Sequence, residues 1–245
     1  MQNKKFLIYH FYKDELDLYG DSGNILYLQY FLNQFNIESK VEYINSKTKK
    51  IEECDFIFAG GGPDLLQNKI YSDFLSKKDF ITTHINKGKP ALFVCGSFQL
   101  LGKYYKTSEG KKIPGLKIFD FYTYSPKNQS NRIIGNIWGL LNIEQSFFSN
   151  KVVGFENHNG RTMLKSNIAS FSQVSNLSFG NNDKDFTEGL LFKKTIGTYL
   201  HGPLLVKNPH VLFFLLSDYI KNKNIDLKMF TSEYVAFNNA LLKKR

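Results

Sequence analysis

Lys89-Pro90-Ala91-Leu92-Phe93-Val94-Cys95-Gly96-Ser97-Phe98-Gln99-Leu100-Leu101-Gly102 is a short apolar run, a cysteine between valine and glycine, and then a helical pattern. It reads as strand, sharp turn, helix. The turn sets a thiol beyond the carboxyl end of a buried strand and at the start of a helix, where backbone N–H groups lack intrahelical acceptors. Gly96 permits the sharp turn and the close approach of a substrate. The plainer reading of Cys95 is a small buried hydrophobe. Only partners elsewhere in the chain make it a nucleophile.

Upstream, Cys54-Asp55-Phe56-Ile57-Phe58-Ala59 is another buried strand and runs directly into Gly60-Gly61-Gly62-Pro63-Asp64. Bare backbone after a strand either makes a tight connection or aims amide N–H groups at a substrate oxygen that becomes negative. The triplet is too short for a Walker or dinucleotide fingerprint. Before it lie a first strand at Lys5–Tyr12, a helix that Asp21 or Ser22 can cap, with Ile25, Leu28, Leu32 and Phe35 on one side, and a strand at Val41–Ile44. A helical stretch from Ile70 to Asn86 ends at Gly88 and Pro90.

Strands alternating with helices in this way predict an α/β fold: an open, mostly parallel sheet flanked by helices, with some antiparallel strands. In such sheets the site lies beyond the carboxyl ends of the strands, where Gly60–Pro63 and Cys95 both fall. Tyr105 to Gln145 reads as strands and loops, and Phe119–Tyr124 within it as core or docking surface. Arg132 in that stretch is one of three arginines, and its guanidinium fork suits a carboxylate. Val152 to Thr162 is a strand and a glycine-broken turn carrying His158. Further strands are expected at Glu188–Phe192 and Thr195–Leu200, the second ending at His201. Asn208-Pro209 opens a long helix, and a last helix covers about Thr231 to Leu242. Without repeats or low-complexity linkers, residues 1–245 read as one domain, its core at about 5–205 and C-terminal helices at about 208–243.

The formal charge of +10 comes from lysines scattered along the chain, with short clusters at Lys47–Lys50 and Lys243–Arg245, and no groove-reading motif accompanies it. Nucleic-acid binding is not expected. Two cysteines in unlike contexts and no secretory leader point to a reducing cytosol without disulfides, with weak attraction to the inner membrane surface as an addition. No run is long enough to span a membrane, and no ligand spacing suggests a metal.

A cysteine on an elbow, a histidine past a distant strand end and a glycine loop supply nucleophile, base and oxyanion donors for acyl transfer. His201 takes the thiol proton and returns it to the leaving amine; His158 competes for that role. N–H groups of the glycine loop and of Gly96 face the oxyanion.

At these residues the sequence resembles the class I glutamine amidotransferases of the cobyric acid synthase type, and within them the glutaminase subunits of lipid II isoglutaminyl synthases. The resemblance runs through Tyr9-His10-Phe11, Leu18–Asn24, Gly60–Asp64, Val94–Gly102, Asn131-Arg132, Gly154–His158 and Gly197–Pro203. It implies a flavodoxin-like fold. It also implies that Cys95 attacks the side-chain amide of glutamine, that His201 is the acid–base partner, that Arg132 holds the substrate carboxylate, and that Gly61, Gly62, Gly96 and Gln99 line the substrate. Ammonia would pass to a Mur-ligase-like partner, MurT, which amidates D-glutamate on lipid II and holds the ATP and magnesium; this subunit would carry no cofactor. A cobyrinate-type or other synthetase, or a weakly active scaffold role, is the alternative. Two departures stand out. No glutamate follows His201 where many class I triads have one, leaving Asp21, Glu156 and Glu188 as candidate orienting carboxylates. Ser97 stands where glycine is usual, and its hydroxyl either crowds the substrate or bonds to it.

Overall fold

The computed structural model describes residues 5–62, 64–127, 132–143 and 149–228, with the backbone alone for 64–69. In chain order the first elements are β1 (Phe6–Phe11), α1 (Gly23–Gln34), β2 (Ser39–Ile44), β3 (Phe56–Ala59), α2 (Asp64–Ser76), α3 (Lys78–Asn86), β4 (Ala91–Val94) and α4 (Gly96–Leu100). Then come β5 (Tyr104–Lys106), β6 (Lys112–Pro114), β7 (Phe121–Tyr124), β8 (Ile133–Leu141), β9 (Lys151–His158) and β10 (Arg161–Leu164). The last are β11 (Ser172–Val174), β12 (Thr187–Glu188), β13 (Leu190–Phe192), β14 (Thr195–Thr198), α5 (Leu204–Lys207), α6 (Pro209–Leu215) and α7 (Ser217–Asn222).

Among the described residues the main sheet has the order β13-β14-β4-β3-β1-β2, parallel except for β13. Continuous apolar runs make these strands because helices cover both faces: Phe56, Ile57, Phe58, Leu92, Phe93, Val94 and Ile196 are all inaccessible to solvent. The register sets Thr198 beside Val94 and Ala59 beside Phe93, so β14, β4 and β3 end side by side. Gly60, Cys95 and His201 leave those ends as near neighbours.

The remaining strands form two smaller sheets, β10-β7-β5-β6 and β12-β11-β8-β9, antiparallel apart from the β5–β7 pair. The antiparallel share of the fold is therefore larger than the strand–helix alternation predicts. The β9 strand returns to the main sheet's site, where the His201 N–H donates to the Phe155 carbonyl at 2.8 Å.

Several local expectations need correction. The stretch from Ile70 to Asn86 is two helices, broken at the buried Lys77. Neither Asp21 nor Ser22 caps α1 through its side chain, because the Asp21 carboxylate is engaged elsewhere. Glu188 and Leu190–Phe192 belong to different strands, separated at Gly189 with φ +63°. The helix expected at Asn208-Pro209 is interrupted: α6 begins at Pro209 but stops at Leu215, and the Asn208 side chain bridges Leu204 and Val153 rather than capping. The helix expected at Thr231–Leu242 lies outside the described residues. Gly88, with φ +72°, closes α3 as expected.

Candidate active site

Cys95 has φ 51° and ψ −106°, a conformation that costs a residue with a Cβ on the order of 1–3 kcal/mol and that follows from the elbow between β4 and α4. Its N–H donates to the Thr198 carbonyl at 2.7 Å, which pins the elbow to the strand that carries His201. The α4 helix is five residues long, so its N-terminus offers only a few local N–H groups, that of Gly96 first among them.

His201 is fully buried. Its Nδ1 lies 3.1 and 3.0 Å from the two carboxylate oxygens of Asp21, an acidic side chain that is itself inaccessible to solvent. Nδ1 therefore carries a proton toward Asp21, and Nε2 is the nitrogen left to exchange a proton on the Cys95 side. Nε2 has no nitrogen or oxygen partner, and the Cys95 sulfur sits close enough to influence the ring's titration. Burial disfavours the imidazolium and is the largest single influence. The hydrogen bond to Asp21 and the interaction with Cys95 outweigh it and raise the His201 pKa to about 10. Of the three candidate carboxylates, Asp21 is the one that meets His201.

Asp21 is held in turn. The Gly61 N–H donates to its Oδ2 at 2.9 Å, and its own carbonyl accepts from the Asn24 side chain at 2.9 Å. Asn24 Oδ1 accepts from the Leu205 N–H at 2.8 Å, clamping the Asp21 segment to the chain just past His201. Gly23 packs so closely on Pro203 that a Cβ there would lie 2.6 Å from the proline ring. Asn24 carries no role of its own in the sequence reading: it closes the Leu18–Asn24 stretch of the resemblance, and an amide at the start of a helix is ordinarily explained as a cap.

Gly61 sits between all three residues. A Cβ on it would lie 2.6 Å from His201 Cε1, 3.0 Å from Cys95 Cβ and 3.4 Å from Asp21 Oδ2. The Gly61 N–H is spent on Asp21 and does not face an oxyanion, which corrects the expectation for that donor. Gly62 packs against Leu16 and Glu15.

The Ser97 hydroxyl faces away from the thiol. It lies 2.7 Å from the Ala59 carbonyl oxygen and accepts the Val94 N–H at 3.0 Å, tying the ends of β3 and β4 together. It neither crowds the substrate space nor bonds into it.

On the open side, the Tyr19 ring stands edge-on to His201 with centroids 4.9 Å apart. Its hydroxyl accepts from Asn157 Nδ2 at 2.6 Å. Arg132 donates Nε to Asn157 Oδ1 at 2.5 Å and Nη2 to the Asn157 carbonyl at 3.1 Å. Arg132 is thus set at the rim, two side chains from His201. Gln99 is buried and donates to the Tyr199 hydroxyl at 3.1 Å.

His158 stacks on Tyr199 at 3.7 Å, fully buried, and desolvation first of all lowers its pKa. It belongs to a second polar cluster. Glu188 there accepts from Thr198 Oγ1 and the Tyr199 N–H, both at 2.8 Å, and shapes the chain leading to His201. Burial, then the charge of Glu156, pushes the Glu188 carboxyl up to about 8. Cys54 is a buried thiol 3.7 Å from His84 Nδ1, and burial pushes it up to about 12. Among the described residues no group of three or more His, Cys, Asp or Glu side chains converges as metal ligands, and no helix is long and apolar enough to cross a membrane.

Residues 7–209 match the CobB/CobQ-like glutamine amidotransferase domain. The chain is 41% identical over 222 residues to the lipid II isoglutaminyl synthase (glutamine-hydrolyzing) subunit GatD of Staphylococcus aureus, covering 89% of this chain and 86% of that one. It is 36% identical over 217 residues to the subunit of the same name from Streptococcus pneumoniae, covering 88% and 81%. The structure of PurLQS from Thermotoga maritima superposes with a TM-score of 0.58 at 14% identity, over 88% of this chain and all of that chain.

Proposed function

This chain belongs to the CobB/CobQ-like glutamine amidotransferase family, and from that premise we propose that it is a glutaminase subunit that hydrolyses glutamine through Cys95 and passes the ammonia to a Mur-ligase-like subunit, MurT. MurT would use it to amidate D-glutamate of the lipid II stem peptide, with ATP and magnesium held on that partner. Similarity to two GatD subunits across more than four-fifths of their length supports this substrate and partner.

The observation that carries the chemistry is the line Asp21–His201–Cys95 closed around Gly61. The His201 ring, its pKa raised, holds the thiol proton on Nε2, Asp21 stabilises that imidazolium, and Cys95 Sγ attacks the carboxamide carbon of glutamine beside it. The tetrahedral oxyanion is met from the elbow side by the Gly96 N–H, a donor of a kind worth about 3 kcal/mol. His201 returns the proton to the leaving nitrogen, ammonia departs, and a thioester remains. A water, deprotonated by the same imidazole, hydrolyses it to glutamate. Arg132 anchors the α-carboxylate at the rim, with Asn157 fixing one edge of its guanidinium.

The test is glutamate release from glutamine by the purified complex of this chain and the MurT subunit. Activity that survives Cys95→Ala would sink the reading.

A further inference from the structure

We propose that Tyr19 is a positioning residue with two separable tasks: its ring sets His201, and its hydroxyl, through Asn157, sets Arg132. This rests on the function proposed above, in which Arg132 anchors the α-carboxylate of glutamine. Tyr19 has φ 54° and ψ 26°, in the left-handed region, where a bulky side chain is an outlier and glycine or asparagine sits at far lower cost. Such a conformation persists only where the surroundings over-determine it. Here they do so through the side chain.

The Tyr19 ring meets His201 at 4.9 Å and 72° and Phe155 at 5.8 Å and 69°, edge-on in both cases. Phe155 and Asn157 lie two residues apart on β9 and share a face, and the Phe155 carbonyl also takes the His201 N–H. Tyr19 is therefore braced by the strand that fixes the His201 backbone, and it bears on the imidazole itself. Two residues further on, Asp21 meets the Nδ1 edge of the same imidazole. One short segment thus restrains the ring in two ways. Asp21 selects the nitrogen that faces Cys95, and Tyr19 limits the tilt of the ring.

The hydroxyl acts at the other end. Asn157 is held by both of its amide atoms: Oδ1 accepts from Arg132 Nε at 2.5 Å, and Nδ2 donates to the Tyr19 oxygen at 2.6 Å. Without that oxygen the amide is free to rotate, and the guanidinium loses the edge that orients its fork. The chain Arg132–Asn157–Tyr19–His201 therefore sets the carboxylate anchor and the acid–base group against one another through a single side chain.

Two variants separate the tasks in steady-state glutaminase assays of the complex with a MurT-type subunit, with circular dichroism and Tm as controls of the fold. Tyr19→Phe keeps the ring and removes the hydroxyl. KM for glutamine is expected to rise about fivefold, with a smaller change in kcat. In an Arg132→Lys background the same substitution is expected to add little, because the fork it supports is already gone. Tyr19→Asn removes the ring while placing a residue that tolerates the left-handed backbone. Here kcat is expected to fall about tenfold or more, and iodoacetamide labelling of Cys95 in the isolated chain to slow, whereas phenylalanine at this position retains both. A native KM in Tyr19→Phe, an undiminished further rise in the Arg132→Lys background, or native kcat and labelling in Tyr19→Asn each overturns the inference. A lowered Tm with kcat and KM changed alike in both variants overturns it in favour of a purely structural tyrosine. If Tyr19→Asn does not fold, Tyr19→Phe and its combination with Arg132→Lys decide. Absence of glutamate release by the unmutated complex overturns the proposed function and the Arg132 half of this inference, while Cys95 labelling still tests the contact with His201.

Discussion

Asp21 accepts the Nδ1 proton of His201 with both carboxylate oxygens, across 180 residues of sequence, while neither side chain is reached by solvent. The pair fixes which nitrogen of the imidazole faces Cys95. Asp21→Asn keeps the shape but removes the charge that stabilises the imidazolium. It is expected to lower kcat by about 10²–10⁴-fold with near-native circular dichroism, and to move the pH profile of Cys95 alkylation. An unaltered kcat and profile would remove Asp21 from the relay.

Gly61→Ala tests how tightly the three groups are packed. The new methyl group would lie 2.6 Å from His201 Cε1 and 3.0 Å from Cys95 Cβ, so one of them must move. A displacement approaching 1 Å costs about 10²-fold in rate, and glutaminase assays should show at least that loss. The groups the methyl displaces are buried, and overpacking of this kind costs about 1–3 kcal/mol, so thermal unfolding should also shift downward.

Ser97→Ala is expected to behave in the opposite way. The hydroxyl serves backbone groups of Val94 and Ala59 and nothing in the substrate space. Leaving these buried groups unpaired costs about 1–3 kcal/mol, readable in urea denaturation, while kcat stays within a few-fold. A large fall in kcat at unchanged stability would mean that the hydroxyl does reach the substrate.

Arg132→Lys retains the charge but loses the fork that Asn157 orients through Nε and Nη2. If Arg132 anchors the α-carboxylate, KM for glutamine should rise about tenfold or more, the equivalent of some 1.4 kcal/mol, with a smaller change in kcat. Steady-state kinetics separates the two.

Glu188→Gln probes the buried cluster behind the site. In the folded chain this carboxyl is raised from 4.5 to about 8, so the native state keeps a proton that the unfolded chain releases. Stability from this group therefore falls as pH rises between those values. His201, raised from 6.5 to about 10, stabilises the fold below 6.5 and loses that contribution as pH climbs toward 10. Glutamine abolishes only the first effect and still accepts from Thr198 and Tyr199. The Tm advantage of Glu188→Gln over the unmutated chain is expected to grow from pH 5 to pH 8; parallel Tm values across that range would contradict it.

The order of strands and helices, the elbow at Cys95 and the strand end before His201 were legible along the chain, because apolar runs, glycines and the residues beside them act locally. Covalent neighbours are enough to say that Val94-Cys95-Gly96 turns sharply. The breaks at Lys77 and Leu216 were not legible, since the apolar pattern continues across them and both residues are buried in packing that only the tertiary fold supplies. Asp21 looked like a helix cap for the same reason: its partner lies at the far end of the domain. The parallel register of β14, β4 and β3 brings His201 beside Cys95, and the clamp from Asn24 to Leu205 brings Asp21 beside His201. Local backbone preferences and apolar periodicity in the sequence thus determined the class of fold and offered Cys95 as a candidate nucleophile, with His201 and His158 as competing candidate bases; the resemblance favoured His201. Which carboxylate completes the relay, that Gly61 serves it, and that Ser97 faces away were decided by tertiary packing, because burial excludes water and leaves each polar group only the partners the fold brings within reach.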